Sequence, residues 1–591
     1  MASSRSIRID LLKCIAILAV IFYHLGFLRY GYLGVDIFLV VSGYFLGRSL
    51  LKPRNGESFA FFPFLMQRLM RLWPIILLAS AFSLVVGFFV MLPVDYENLA
   101  QSVVASSFFA NNILPAITLK DYWAVINNFK PLMHTWYAGV LLQSYIVFAL
   151  LAKLAHRFSK NPRRSCGIGF AAVLLLSLAL YLLPFMQEHE KFYYIPARLF
   201  ELALSALLAA LRPETMEKIS RFFKKHRISL PVQLLLLGAI LLFVTLPAEF
   251  LPANLRLLSV NLLTLLLLLF FVCDEKDWCV PGVKQLAFVG KASFSFFVWH
   301  QVIIAFIRYA WHAPLGFKEA LTALILTALF STLSYFLLEN RLERLLRDQK
   351  KRRNCTIVCV VGCLLISSAS LLVYQRSGVM RDVPELGIYT SQIIPDMHAA
   401  YCDRVYGYDK DFSDSDKTKV LVLGNSFGRD FGNVLLESDY AEEIELSYAV
   451  NASEAGQGRI EEADYIFYAI YGNDFKGLPS ALSAEGILKK VYLVGYKNYG
   501  SSNGNIYSHR NSEDYFDLSV TLSEDFFTQN DALREYFGAA YIDMLTPVRK
   551  ADGSIRVFTD EGKFISPDCH HLTVFGAQYY SRLLDLDAIF G

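Results

Sequence analysis

No two of the nine cysteines stand in a CxxC spacing, and no Cys/His set has the separations of a zinc site, so the sequence argues against a metal centre. A basic excess is equally lacking. The net charge of +3 is too small to suggest nucleic acid, and no Lys/Arg run interleaves with aromatics in the polar third of the chain. Charge of either sign is sparse, at 18% of 591 residues against 55% hydrophobic, and most apolar residues precede Tyr374. That excludes a single soluble domain. No cleavable leader is read at the start: the apolar run from 9 to 28 is long enough to span a bilayer and is followed at once by another.

Candidate membrane helices fall near 7–28, 32–51, 73–93, 132–154, 167–186, 194–211, 229–247, 255–273, 294–312, 317–338 and 355–374, eleven in all. Each has the length that crosses about 30 Å of hydrocarbon. Residues 98–115 are apolar but broken by Asn111, Asn112 and Pro115, which suits a re-entrant or interfacial segment. Arginine and lysine collect in alternate loops: Arg5 and Arg8, then Lys52 to Arg71, His156 to Arg164, Arg212 to Arg227, and Arg341 to Arg353. The remaining loops are poor in base. The positive-inside rule then sets the N-terminus in the cytoplasm and, after an odd number of crossings, residues 375–591 outside it.

That outer region has ordinary soluble composition. Val420 to Leu423 reads as a short buried strand ending in a glycine turn, with further strands at 465–470 and 491–494 and a helix over 523–537. Strands alternating with helices predict a parallel α/β sheet, whose functional loops follow the carboxyl ends of the strands. Ser426, in Gly424-Asn425-Ser426-Phe427, directly follows the first strand as a candidate nucleophile. Asn473, in Gly472-Asn473-Asp474, follows the second, where its amide could donate to an oxyanion. His571 is the candidate general base, and Asp568, three residues earlier, would fix its tautomer and stabilise the imidazolium.

These motifs, in this order and with His571-Leu572-Thr573 leading into Gly576-Ala577, make residues 415–591 resemble the SGNH (GDSL-like) hydrolase and transferase family. The resemblance implies a fourth signature residue, an oxyanion glycine, for which Gly456 and Gly458 are candidates. Asn425 stands where the family's first motif usually has aspartate. Asp568 keeps the triad complete.

The hydrophobic block carries polar residues at bilayer depth, where ionisable groups are costly and suggest function. On the first span, eleven residues at about 100° each leave Lys13 and His24 about 20° apart on one face and about 16 Å apart along the axis, with Asp10 on the same side. Asp10-Leu-Leu-Lys13 with His24, the run Gly34 to Gly43 containing Asp36, and the run Phe64 to Pro74 containing Arg68 and Arg71 resemble the start of membrane acyltransferase family 3. Pro131-Leu-Met-His134-Thr-Trp136, Arg198-Leu-Phe-Glu201, Ser293 to His300 and Glu339-Asn-Arg341 continue the likeness over about residues 5–345. Three positions depart from the family. Lys13 replaces the usual arginine, Leu141 and Leu142 stand for paired glutamates beside a retained Gln143, and Ser205 replaces a common glycine.

The resemblance implies a polytopic α-helical domain of ten helices plus an eleventh linking helix, then the α/β domain. The expected boundaries are 1–345 for the membrane acyltransferase domain, 346–375 for a basic linker and the eleventh helix, 376–414 for a periplasmic linking segment, and 415–591 for the SGNH-like domain. Such fusions move acyl groups, usually acetyl from acetyl-CoA, onto hydroxyls of lipopolysaccharide, peptidoglycan or other surface glycans. Lys13, Arg68 and Arg71, at the inner side, would suit the phosphates of the donor, and His24, Asp36 and His134 lie toward the outer side, where a histidine could act as base or transient acyl carrier; Asp10 and Glu201 are further candidates for the donor or membrane site. The expected location is a bacterial inner membrane, with the C-terminal domain in the periplasm. Cys402 and Cys569, the two cysteines placed outside, could bridge and brace the Asp568–His571 loop. Two other functions fit parts of the pattern: a membrane-anchored carbohydrate O-acetyl esterase, and a transporter of glycan or acyl groups with an accessory domain.

Overall fold

Helix dominates wherever the sequence is apolar and gives way to alternating strands and helices where it is not. The computed structural model describes residues 6–52, 59–118, 125–226, 229–246, 251–274, 282–311, 315–346, 348–392, 401–469, 479–484, 486–501 and 503–591. The chain folds as two units, one of residues 1–87 with 98–372 and the other of 88–97 with 373–591.

Among the described residues eight helices are long and apolar enough to cross a membrane: Gly31–Leu50, Phe61–Val90, Met133–Phe158, Pro162–Leu182, Ala253–Cys273, Ser293–Ala310, Phe317–Leu345 and Gln349–Gln375. The other three expected spans are shorter or more charged. Ile7–His24 carries Arg8, Asp10 and Lys13 in 18 residues. Around 194–211 a 3-10 turn, Ile195–Ala197, precedes a 12-residue helix, Leu199–Ala210. Ser229–Thr245 has 17 residues and follows a sharp bend from Pro213–Lys225.

The broken segment near 98–115 forms two helices, Pro93–Ser107 and Ile113–Thr118, with Asn111 and Asn112 buried between them. Buried amides need partners. Asn111 donates to Leu132 O at 2.8 Å and Thr135 Oγ1 at 2.7 Å, while Asn112 and Gln143 exchange amide hydrogen bonds at 2.8 and 3.1 Å. Elsewhere Gly43 lets two helices touch: a Cβ there would lie 2.3 Å from Leu202 O and 2.4 Å from Ser205 Oγ. Gly34–Leu50 and Leu199–Ala210 therefore cross at backbone distance, with Ser205 filling the contact.

The second unit contains a five-stranded parallel sheet. Its strands are β1 (Thr418–Gly424), β2 (Ile444–Ala449), β3 (Tyr465–Ala469), β4 (Val491–Val494) and, after the short β5 (Ser519–Val520), β6 (Tyr541–Ile542), in the order β2-β1-β3-β4-β6. β7 (Ile555–Arg556) pairs antiparallel with β5. Val420 and Val422 pack on one face of β1 and Leu421 and Leu423 on the other. Burial on both faces explains why this strand reads as a continuous apolar run. The parallel register Leu423–Ala449 and Gly424–Ala469 brings the ends of β1, β2 and β3 to one edge.

Candidate active site

Ser426 is the first residue of the Ser426–Leu436 helix, immediately beyond β1. Asn425 caps that helix, its side chain accepting from Phe427 N at 3.0 Å. Gly424 makes the turn with φ 144°, and a Cβ there would lie 1.7 Å from Ala469 O, so the position excludes larger residues. Ser426 is thereby held half-exposed at the sheet edge.

His571 reaches it from the loop preceding the Val574–Leu583 helix, which Thr573 caps through Gly576 N at 2.9 Å. His571 Nε2 lies 2.8 Å from Ser426 Oγ, and Nδ1 lies 2.6 Å from Asp568 Oδ2. The Asp568 Oδ1 accepts from His570 N at 3.1 Å and His571 N at 2.9 Å. Burial by itself would raise the Asp568 carboxyl, but the hydrogen bond and charge of His571 and these backbone donors hold it well below the usual carboxylate range. An ionised Asp568 fixes the proton on Nδ1 and leaves Nε2 to take one from Ser426. That is the order a nucleophile–base–carboxylate relay requires.

Cys569, between the two anchors, has φ 84°, a left-handed backbone unusual for a residue with a Cβ. Ser566 Oγ accepts from Cys569 N at 2.9 Å, and Cys569 O accepts from Tyr499 N at 2.9 Å. These bonds hold the strained turn that aims Asp568 and His571.

A Cys402–Cys569 bridge is not formed. Both thiols are buried and neither is disulfide-bonded, with Cys402 Sγ 3.7 Å from Leu572 O and Cys569 Sγ 3.9 Å from Asn503 Oδ1. Burial pushes the Cys402 thiol up to about 12 and the Cys569 thiol well above its ordinary value, so neither is a ready thiolate.

The two candidate oxyanion glycines differ. Gly456 breaks the Ala452–Glu462 helix with φ 73° and ψ 161°, just beyond β2, whereas Gly458 has no positive φ. Asn473 lies outside the described residues.

In the first unit a cavity of about 400 Å³ is lined by Asp10, Lys13, Arg48, Arg68 and Arg71, with Tyr137, Leu141, Tyr145 and Phe297 among its walls. Lys13 Nζ is 3.9 Å from Asp10 Oδ1, and the Arg68 guanidinium lies over the rings of Phe64 and Tyr145. Four cations around one carboxylate suit an anionic ligand. Leu141, where a glutamate was expected, leaves the wall apolar there.

The remaining predicted residues form two clusters, buried except for the half-buried His24. Asp36 and Glu201 share Arg198, each at 3.0 Å, and the guanidinium packs over Trp136 and Phe192. His24 and His134 do not touch this triad. Each lies with its ring centroid 5.2 Å from His300, which donates to or accepts from nothing but its own helix, at Phe296 O and Phe297 O, among the described residues. His134 Nε2 lies 3.0 Å from Val298 O, so donates there.

Sequence reading placed Arg198 and His300 inside motifs without giving either a role. Their signal was present: Arg198 and Glu201 stand at i and i+3 on one helix face, which predicts an ion pair. Asp430 and Lys497, behind His571, were missed altogether.

The acyltransferase-domain family matches residues 6–339, more than half the chain. The protein belongs to that acyltransferase family. Among similar proteins, "Putative O-acetyltransferase SACOL0978" of Staphylococcus aureus (strain COL) is 29% identical over 346 residues, 56% of each chain. The O-acetyltransferase OatA of Staphylococcus aureus (strain NCTC 8325 / PS 47) is 26% identical over 374 residues, 57% of each chain. The chain thus spans little more than half the length of the curated relatives it matches. No solved structure matches it.

Proposed function

We propose that the protein is a membrane O-acetyltransferase that takes acyl groups from cytoplasmic acetyl-CoA and delivers them to hydroxyls of an extracytoplasmic surface glycan. One observation carries the reading: a Ser426–His571–Asp568 relay at 2.8 and 2.6 Å occurs in a chain whose residues 6–339 match an acyltransferase family. The O-acetyltransferase names of the relatives support the acetyl group.

In this reading the cationic cavity binds the phosphates of the donor, with Lys13, Arg68 and Arg71 as point and fork charges beside Asp10. His24, with His134 beside the same histidine, accepts or activates the acyl group inside the bilayer, and the Asp36–Arg198–Glu201 triad braces the surrounding helices. Ser426 then receives the group. Its Oγ attacks the acyl carbonyl, its proton passes to His571 Nε2, and the bond to the carrier breaks as the carrier leaves with that proton, so that His571 is neutral again. The backbone N–H of Gly456 and the amide of Asn473 serve the oxyanion. A sugar hydroxyl next attacks the acyl-serine, giving its proton to His571, and the serine oxygen leaves with that proton to restore the starting state. The second unit works outside the cytoplasm in this reading, which the distribution of basic residues among the loops supports.

The test is acetyl-CoA-dependent labelling in isolated membranes. Radioactive acetyl should appear on the parent chain and be lost from the peptide containing residue 426 in Ser426→Ala. Glycan acetylation undiminished in Ser426→Ala would remove the acyl-serine step.

A further inference from the structure

The helix that presents Ser426 also carries a buried carboxylate. Asp430 lies four residues on in Ser426–Leu436, so the two side chains project from nearly the same face. Asp430 is 1% exposed. Its Oδ2 accepts from Leu572 N at 3.0 Å, the residue that follows His571, and lies 2.9 Å from Lys497 Nζ. Arg429 approaches Oδ1 at 3.5 Å. Lys497, 2% exposed on the loop leaving β4, holds its ammonium 4.1 Å from the ring of Phe427, the neighbour of Ser426.

Two facts give this arrangement chemical meaning. A carboxylate accepting from a backbone N–H makes a stronger bond than a neutral acceptor. A buried carboxylate stripped of its cation, however, is strongly disfavoured and takes up a proton or swings away. Lys497 supplies the paired cation, and Asp430 fastens the loop next to His571 to the helix bearing Ser426. The carbonyl of the same residue, in the next peptide, is held as well, since Leu572 O accepts from Cys402 Sγ at 3.7 Å.

We infer that Asp430, paired with Lys497, is a positioning residue for acyl transfer: it ties the backbone beside His571 to the Ser426 helix and so sets the separation of base and nucleophile. This rests on the reading of Ser426 as the acyl-carrying nucleophile. Misplacing a reacting group by about 1 Å costs on the order of 100-fold in rate. The clamp therefore acts on kcat and leaves the acyl-binding surface, and hence KM, alone.

The test uses the full chain in detergent and two charge-balanced variants. Asp430→Asn/Lys497→Met keeps an oxygen to accept from Leu572 N, whereas Asp430→Leu/Lys497→Met has similar bulk and no acceptor. Turnover of p-nitrophenyl acetate and the rate at which a fluorophosphonate labels Ser426 are measured beside the melting transition. The Asn form should stay within about threefold of the parent chain. The Leu form should fall by about 30-fold or more in kcat and in labelling rate, with KM within about twofold and the melting transition kept. Asp430→Ala/Lys497→Met makes the same comparison if the Leu form loses that transition. Equal rates in the Asn form and the acceptor-free form, with turnover lost in Ser426→Ala, overturn the clamp alone. Turnover retained in Ser426→Ala overturns the acyl-serine reading and the clamp with it.

Discussion

At the sheet edge, Asp568 and His571 stand three residues apart and Ser426 directly follows a strand, whereas in the first unit His24, His134 and His300 come from three distant helices. The first site is half-exposed and linked by hydrogen bonds from carboxylate to hydroxyl. In the second, His134 and His300 are buried and His24 half-buried, and the histidines meet ring to ring. A short-range motif thus produces a hydrogen-bonded serine–histidine–carboxylate chain open to water. Charges and imidazoles gathered from far along the chain instead make sites enclosed by apolar helices, where each polar group must be paired or used.

The sharpest way to break this contrast is at the relay. Ser426→Ala should lower acyl transfer by about 10³-fold or more, read by ester turnover of the full chain. Asp568→Asn should lower kcat by about 10²- to 10⁴-fold, because the imidazole loses the partner that sets its tautomer. It should also change the acid limb of stability. A carboxyl held lower in the folded chain than its ordinary 3.8 contributes stability that is complete above that value and fades as pH falls below it. The parent chain should therefore lose more melting temperature below pH 4 than Asp568→Asn does.

The next effects belong to the buried cluster. Arg198→Met leaves Asp36 and Glu201 without their shared cation, and should destabilise the chain in detergent by about 3–5 kcal/mol. Arg198→Lys keeps the charge but not the two-carboxylate fork, and should lose less. Gly43→Leu should cost about 1–3 kcal/mol by thermal denaturation, through its clash with Leu202 O. The smallest expected effect is none: with Cys402 and Cys569 not bridged, gel mobility should be the same with and without reductant.

How much could be read beforehand follows the same divide. The strands around Ser426 were legible because β1, β3 and β4 are apolar runs bounded by turns. β2, with Glu445 and Ser447, is not one, and neither is the two-residue β6. Ser426, Asp568 and His571 were legible because their roles depend on local order. His300, Asp430 and Lys497 were not given roles because each meets residues brought near by tertiary packing, whereas of the Arg198 contacts only the one to Glu201, at i and i+3, is local. Eleven spans were expected and eight are long and apolar enough, since the charges on Ile7–His24 and the 3-10 turn before Leu199–Ala210 interrupt runs that hydropathy alone joins.

The most direct measurement is mass spectrometry of surface glycans from cells carrying the parent gene, Ser426→Ala or His24→Ala. The account predicts that the acetyl increment present with the parent gene disappears in both variants while the chain remains in the membrane. Acetylation that persists or rises in Ser426→Ala would contradict it, and would point to an esterase or to a membrane unit that acylates the glycan by itself.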